Sequence, residues 1–229
     1  MQVKMLDHIA IYMNHRDEAA DWLTSHLGFH VVDQTERYTL VGAGGRLGKL
    51  TLFDAPQDTT LSQGEISRII LRVADTEAAA AGLPTEAGTE PLDGGYAFTG
   101  PEGLPLALIA GEGEFTDYDL EGFALRSGSP EESARIFVEM GFTPTDDAAT
   151  VRAGEYLMRL TDGASDAGGM LFHIGCLVDS VEDHRREAEE RGLEVTNFVE
   201  GPNTLAAFVR GPEGVSVEYV EHKPTFSLT

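Results

Sequence analysis

The chain has 229 residues, 41% of them hydrophobic, enough for one large core or two small ones. Its 39 Asp+Glu against 16 Lys+Arg give a net charge of -23, so its surface repels nucleic acid and anionic membranes. It has no apolar run long enough for a membrane span, no leader-like apolar stretch near its start, and a single cysteine, Cys176, which together predict a cytoplasmic protein without internal disulfides. Lys4, Lys49 and Lys223 are the only lysines, a composition that stays soluble in high salt, where screening removes the self-repulsion.

Four segments begin and end alike. They open with LDHIAIYM from Leu6, ISRIILRV from Ile66, LEGFALRS from Leu120 and LFHIGCLV from Leu171. The same inward position then reads His8, Arg68, Gly122 and His173. Such self-similarity is the mark of a fold built from repeats.

Quarter one spans about Val3 to Asp54. Its strand around His8 leads to a helix from Arg16, with Ala19, Trp22, Leu23 and His26 near helical spacing. Gly28 fits the left-handed position that ends a helix. Strands follow at His30–Val32, Tyr38–Val41 and Lys49–Phe53, with Gly42–Gly45 reading as a turn. Quarter two, Ile66 to Ile109, carries a short helix from Asp75 to Ala81 and the turn Gly100–Gly103 before its last strand.

Quarter three, Leu120 to Leu160, has a helix opened by Pro130, with Ser129 as the expected N-cap, and closed at Gly141. Quarter four, Leu171 to Glu221, has a helix capped by Ser180 and ended by Gly192. The turn Gly211–Gly214 then repeats the Gly-Pro-Glu-Gly of Gly100–Gly103. The expected domain organisation is residues 1–110 for modules one and two, a Gly- and acid-rich linker at 111–119, and 120–229 for modules three and four. Gly163–Gly169 reads as a second hinge, and the tail after His222 as loose.

Repeated βαβββ units, helices ended at Leu27-Gly28-Phe29 and Gly141-Phe142, and Gly211-Pro212-Glu213-Gly214 before the strand reaching Glu218 resemble the vicinal oxygen chelate superfamily. That superfamily includes glyoxalase I, extradiol dioxygenases and bleomycin-resistance proteins. The resemblance covers about Val3 to Glu221. It implies an α+β fold of four βαβββ modules forming two half-open barrels, with metal ligands projecting from first and last strands.

Carried over by position, the resemblance makes His8, His173 and Glu218 the ligands. Module two has Arg68 and Ala107 at these places, module three Gly122 and Met158, and module one's last strand Thr51 or Leu52. One complete set exists only if modules one and four share a barrel, leaving two with three. A lone strand histidine reads as core, but matched repeat positions read as ligands.

Two imidazoles and one carboxylate suit Fe, Mn, Zn, Ni or Co as a divalent ion. The implied function is a metal-dependent enzyme acting on a small molecule with vicinal oxygens, either a ring-cleaving dioxygenase or a glyoxalase-type isomerase or lyase. The alternative is a sequestering protein of the bleomycin-resistance type, which would lack a working metal set. Expected substrate-binding residues are His30, Thr51, Asn203, Phe208 and His222. The sequence departs from the dioxygenase pattern at Asn203 and Thr204, where a catalytic histidine is common, and at the apolar Phe208, near which a tyrosine is usual. His15 and His184 read as surface residues, Cys176 as core, and Tyr219, of opposite parity to Glu218, as core or outward-facing. Four modules in one chain allow a monomer, and exposed strand edges allow a homodimer.

Overall fold

A computed structural model describes residues 1–43, 48–57, 59–111, 118–164 and 168–226 of the chain. Each quarter is a βαβββ module. Module one contains β1 (Met5–Met13), α1 (Arg16–His26), β2 (Phe29–Gln34), β3 (Tyr38–Ala43) and β4 (Lys49–Asp54). Module two contains β5 (Ile66–Val73), α2 (Thr76–Ala81), β6 (Glu90–Leu92), β7 (Gly95–Thr99) and β8 (Pro105–Ala110). Module three contains β9 (Asp119–Ser127), α3 (Pro130–Glu139), β10 (Thr143–Pro144), β11 (Thr150–Ala153) and β12 (Tyr156–Asp162). Module four contains β13 (Leu171–Leu177), α4 (Val181–Glu190), β14 (Val195–Glu200), β15 (Thr204–Arg210) and β16 (Ser216–His222).

The strands form two eight-stranded sheets. One runs β14-β15-β16-β13-β1-β4-β3-β2 and joins modules four and one. The other runs β10-β11-β12-β9-β5-β8-β7-β6 and joins modules three and two. The crossed pairing expected from the surviving ligand positions is therefore the pairing observed. Within each module the first strand lies parallel to the last, while the two first strands of a sheet meet antiparallel. Apolar residues of the helices and of the sheet faces they cover form the core, including Leu23, Leu27, Phe137, Met140 and Tyr219.

The strand pairing links modules one to four and two to three, and the Gly-Pro-Glu-Gly turns link the other pairs. Glu102 and Glu213 both hold positive φ, 53° and 56°, a left-handed conformation that costs a non-glycine residue about 1–2 kcal/mol. Their carboxylates offset this by charge-assisted hydrogen bonds. Glu102 accepts from the backbone N–H groups of Asn14 and His15 at 2.8 and 2.6 Å, at the start of α1. Glu213 accepts from Gly128 N–H at 2.9 Å and from the Ser127 hydroxyl at 3.0 Å, ahead of α3. Tyr219 adds a buried link, its hydroxyl donating to the Met140 carbonyl at 2.7 Å.

Several expectations change in detail. Ser129 stands at the N-cap of α3 without a side-chain cap bond, whereas Ser180 accepts from Asp183 N–H at 3.2 Å. Asp75 caps α2 instead of beginning it. His184 is buried, not exposed: one ring nitrogen faces the Ser180 carbonyl and the other the Gln2 backbone, and the ring packs on Tyr219. Gly42 and Ala43 belong to β3, and Gly44 and Gly45 of the expected turn lie outside the described residues, as do 112–117 of the linker and 165–167 of the hinge. No helix among the described residues is long and apolar enough to cross a membrane.

Candidate metal centre

His8 on β1, His173 on β13 and Glu218 on β16 converge at the middle of the first sheet. His8 Nε2 lies 2.9 Å from His173 Nε2. Each of these nitrogens lies 3.2 Å from Glu218 Oε2. Donor atoms bonded to one ion at about 2.1 Å and at right angles to each other stand about 3 Å apart, so this near-equilateral triangle has the size of one face of a metal's coordination shell. Glu218 Oε2 is buried and has no partner at hydrogen-bonding geometry. A buried carboxylate oxygen left in that state is costly, and a cation bound at the triangle would satisfy it. The donor set thus fits a divalent first-row ion.

The register explains the convergence. His8 faces Gly175 across the β1–β13 seam, and Gly175 stands beside Glu218. A Cβ on Gly175 would come within 2.3 Å of His8 Cε1, so glycine is needed for the imidazole to lie over the strand. The seam holds two bulges. The first makes Asp7 the extra residue before His8, and the second makes Phe172 the extra residue before His173. A bulge breaks the two-residue alternation, so consecutive side chains reach the same face. Asp7 and Phe172 therefore line the cavity beside the histidines, which strict alternation does not foresee.

Asp7 organises one side of the centre. Its Oδ2 lies 2.8 Å from His8 Nδ1, which leaves His8 Nε2 as the nitrogen aimed at the triangle. Its Oδ1 meets Lys49 Nζ at 3.1 Å and His222 Nε2 at 3.2 Å. The other side is aromatic. The His173 ring contacts Phe172, Phe208 and Phe53 at centroid distances of 4.6, 5.3 and 6.1 Å. Its Nδ1 is buried with no hydrogen-bond partner among the described residues.

These surroundings separate the two histidines electrostatically. Burial disfavours a charged His8, but the Asp7 hydrogen bond and the close carboxylates of Asp7 and Glu218 outweigh it and raise its pKa to about 9. Burial pushes His173 down, and the nearby His8 charge adds to that against the pull of Glu218. Burial would raise Glu218, yet the His173 and His8 contacts hold it at about 2. Burial also opposes Asp7's charge, but His222, His8 and Lys49 together hold its carboxyl well below the usual range. Both carboxylates are therefore anionic at neutral pH.

The centre opens into a cavity of about 400 Å³. Thr51, Phe208 and His222 line it, as expected from the sequence, and so does Phe226 of the tail that had read as loose. His222 stacks on Phe226 with ring centroids 3.7 Å apart. Two expected residues lie elsewhere. His30 is exposed on β2, outside the cavity lining, because β2 is the far edge of the sheet. Asn203 is exposed in the turn before β15, where its carbonyl accepts from Lys223 N–H, and its neighbour Thr204 lines the cavity instead. Register assigns module one's last-strand position to Thr51, since Thr51 pairs with Ala10 as Glu218 pairs with Gly175, and leaves Leu52 in the core. The same register puts Arg159 at this position in module three, in place of the expected Met158, which is core.

Comparison with known proteins agrees with this architecture. Residues 5–108 match the family described as Glyoxalase/Bleomycin resistance protein/Dioxygenase superfamily. Glyoxalase I from Zea mays superposes with a TM-score of 0.75 at 17% identity, over 95% of this chain and 92% of that one. A candidate dioxygenase from Bacillus subtilis gives 0.76 at 18% identity, over 97% and 86%. The cppA protein of Streptococcus pneumoniae gives 0.62 at 15% identity, over 96% and 100%. No curated protein sequence matches the chain. The resemblance read from the repeats is thus supported in sequence over residues 5–108, by the glyoxalase/bleomycin-resistance/dioxygenase family match, and in fold along nearly the whole length of the chain.

Proposed function

We propose that the chain is a divalent-metal enzyme acting on a small molecule through two adjacent oxygens, with ring-cleaving oxygenation favoured over glyoxalase-type isomerisation. The observation that carries this reading is the triangle of His8 Nε2, His173 Nε2 and Glu218 Oε2, with edges of 2.9–3.2 Å. Thr51 at the remaining last-strand position adds no strong ligand, and two histidines with one carboxylate are the donor set of non-haem Fe(II) oxygenases. A purely sequestering protein would have no use for a buried Glu218 Oε2 that meets two imidazoles without a well-aligned hydrogen bond, which disfavours that alternative. When bound, a divalent ion supplies Lewis acidity to the substrate's adjacent oxygens and, as Fe(II), electrons for dioxygen chemistry.

The chain's own residues supply the rest. Asp7 fixes the His8 ring through Nδ1 and keeps Nε2 turned to the centre. Phe53, Phe172 and Phe208 give the substrate an apolar wall and keep water from the reacting oxygens. His222 reaches the same cavity from the end of the strand that carries Glu218. With Nε2 held against Asp7 Oδ1, its Nδ1 is the atom to take a hydroxyl proton from the substrate and return it later. His222 thus fills the acid–base role that Asn203 and Thr204 leave open.

The test is oxygen uptake by the Fe(II)-loaded protein with vicinal diols, beside isomerisation of a hemithioacetal by the Zn(II)- and Ni(II)-loaded forms. Ring cleavage that disappears in Glu218→Ala supports the reading. Isomerisation without oxygen uptake would reverse the preference, and inactivity of the loaded protein in both assays would count against an enzyme.

A further inference from the structure

We infer that the substrate is itself an acid, with a carboxylate that pairs with Arg37 at the cavity wall while its adjacent oxygens lie at the His8–His173–Glu218 centre. This rests on the chelating role proposed above and names the substrate class for that same site. The starting observation is a cation of the cavity lining with no partner among the described residues. The chain has 39 acidic residues against 16 Lys+Arg, so a basic side chain has acids to choose from. Yet Arg37, an exposed residue of the cavity lining, has no side-chain ion-pair or hydrogen-bond partner among the described residues. The other cation of the lining, Lys49, is already taken by Asp7 at 3.1 Å.

The turn that carries Arg37 is held in place. Arg37 N–H donates to Thr35 Oγ1 at 3.1 Å, and Thr35 N–H donates to the Tyr38 carbonyl at 2.9 Å. Arg16 braces the turn by donating to the Glu36 carbonyl at 3.3 Å. Asp33, the nearby acid on β2, accepts the Tyr38 hydroxyl at 2.8 Å. A backbone fixed in this way reduces the ordering cost of using the side chain for binding. The guanidinium fork matches a carboxylate in two parallel hydrogen bonds.

The charge balance of the cavity points the same way. Its lining holds two anionic residues, Asp7 and Glu218, and two basic ones, Arg37 and Lys49. These cancel, so a divalent ion makes the cavity a positive island in a chain of net charge -23. Phe53, Phe172 and Phe208 belong to the same lining. The fitting ligand is a small acid with an apolar body, of a size that suits a cavity of about 400 Å³.

The experiment uses calorimetry on the Zn(II)-loaded full chain with two probes that share adjacent hydroxyls, 3,4-dihydroxybenzoate and 4-methylcatechol. Wild type is expected to bind the carboxylated probe at least about tenfold more tightly, the range of a charge-assisted pair. In Arg37→Gln the ratio of the two affinities falls to near one, and Arg37→Lys restores part of it. Equal affinities in wild type, or a preference that survives Arg37→Gln, would overturn the inference while leaving chelation intact. If the Zn(II)-loaded protein bound neither probe, the chelating reading would fail and the inference with it.

Discussion

The two sheets share one plan and differ in what their central strands carry. In the first sheet, matched first-strand positions hold His8 and His173, and last-strand positions hold Thr51 and Glu218. In the second they hold Arg68 and Gly122, then Ala107 and Arg159. Both seams carry bulges at the same places: Asp7 and Phe172 in one, Ser67 and Glu121 in the other. The treatment of carboxylates separates them. Glu121 has cations to meet it, Arg72 at 3.3 Å and Arg159 at 3.6 Å, whereas Glu218 meets two histidines, at 3.2 Å each, among the described residues. Asp119, buried, pairs with Arg72 at 2.8 Å. The second sheet neutralises itself with arginine, while the first leaves a place for a metal. Across from His8 stands Gly175, and across from Arg68 stands Ala124, so room for an imidazole over the strand exists on one seam only.

Breaking this difference has its largest effect at the ligands. His8→Ala or Glu218→Ala should abolish metal retention through dialysis, while Arg68→Ala in the other sheet should leave metal content and activity intact. Gly175→Ala comes next. The added Cβ displaces the His8 ring, and metal affinity measured by chelator competition should fall at least about tenfold with the circular-dichroism spectrum preserved. Asp7→Asn keeps the shape but weakens the charge behind His8, and the expected loss of affinity is about 10- to 100-fold.

Proton competition gives a further contrast between loaded and metal-free protein. His8 keeps its proton up to a pKa of about 9 in the metal-free fold. An ion binding at Nε2 must displace that proton, so its apparent affinity should rise about tenfold per pH unit from neutrality towards pH 9. In the metal-free fold, the stabilisation from charged His8 is complete below its unfolded value of 6.5 and fades as pH rises through about 9. The contribution of Glu218 is complete above 4.5 and lost as pH falls through about 2. Denaturant titrations across pH should show both limbs in the apoprotein.

The smallest effect belongs to the contacts that join the sheets. Tyr219→Phe removes the hydrogen bond to the Met140 carbonyl and should cost about 1–3 kcal/mol of stability, with metal content unchanged.

The repeat made the modules, their crossed pairing and the three converging donors legible in the sequence, because equal spacing from the strand start puts His8 and His173 at matched positions. Asp7 and Phe172 were hidden by bulges, since parity assigns the neighbours of an inward histidine to the opposite face. Lys49 and Phe53 share parity with Thr51 on β4 and were open to the same reasoning that found Thr51. His30 was misplaced because parity fixes a face of the sheet but not distance from its centre. Arg37 depends on how the β2–β3 turn meets the cavity, and Asn203 stays in the exposed turn while Thr204, the first residue of β15, reaches the lining. His184, polar on a helix, became buried because the N-terminal segment packs over it at Gln2.

The metal centre is tested most directly by the metal content of the untagged protein, measured by mass spectrometry beside the His8→Ala/His173→Ala double variant. About one equivalent of a divalent first-row ion is expected in the wild type and none in the variant. Wild-type protein that takes up no metal even after reconstitution, or a variant that retains it, would contradict a centre shared by the first and fourth modules.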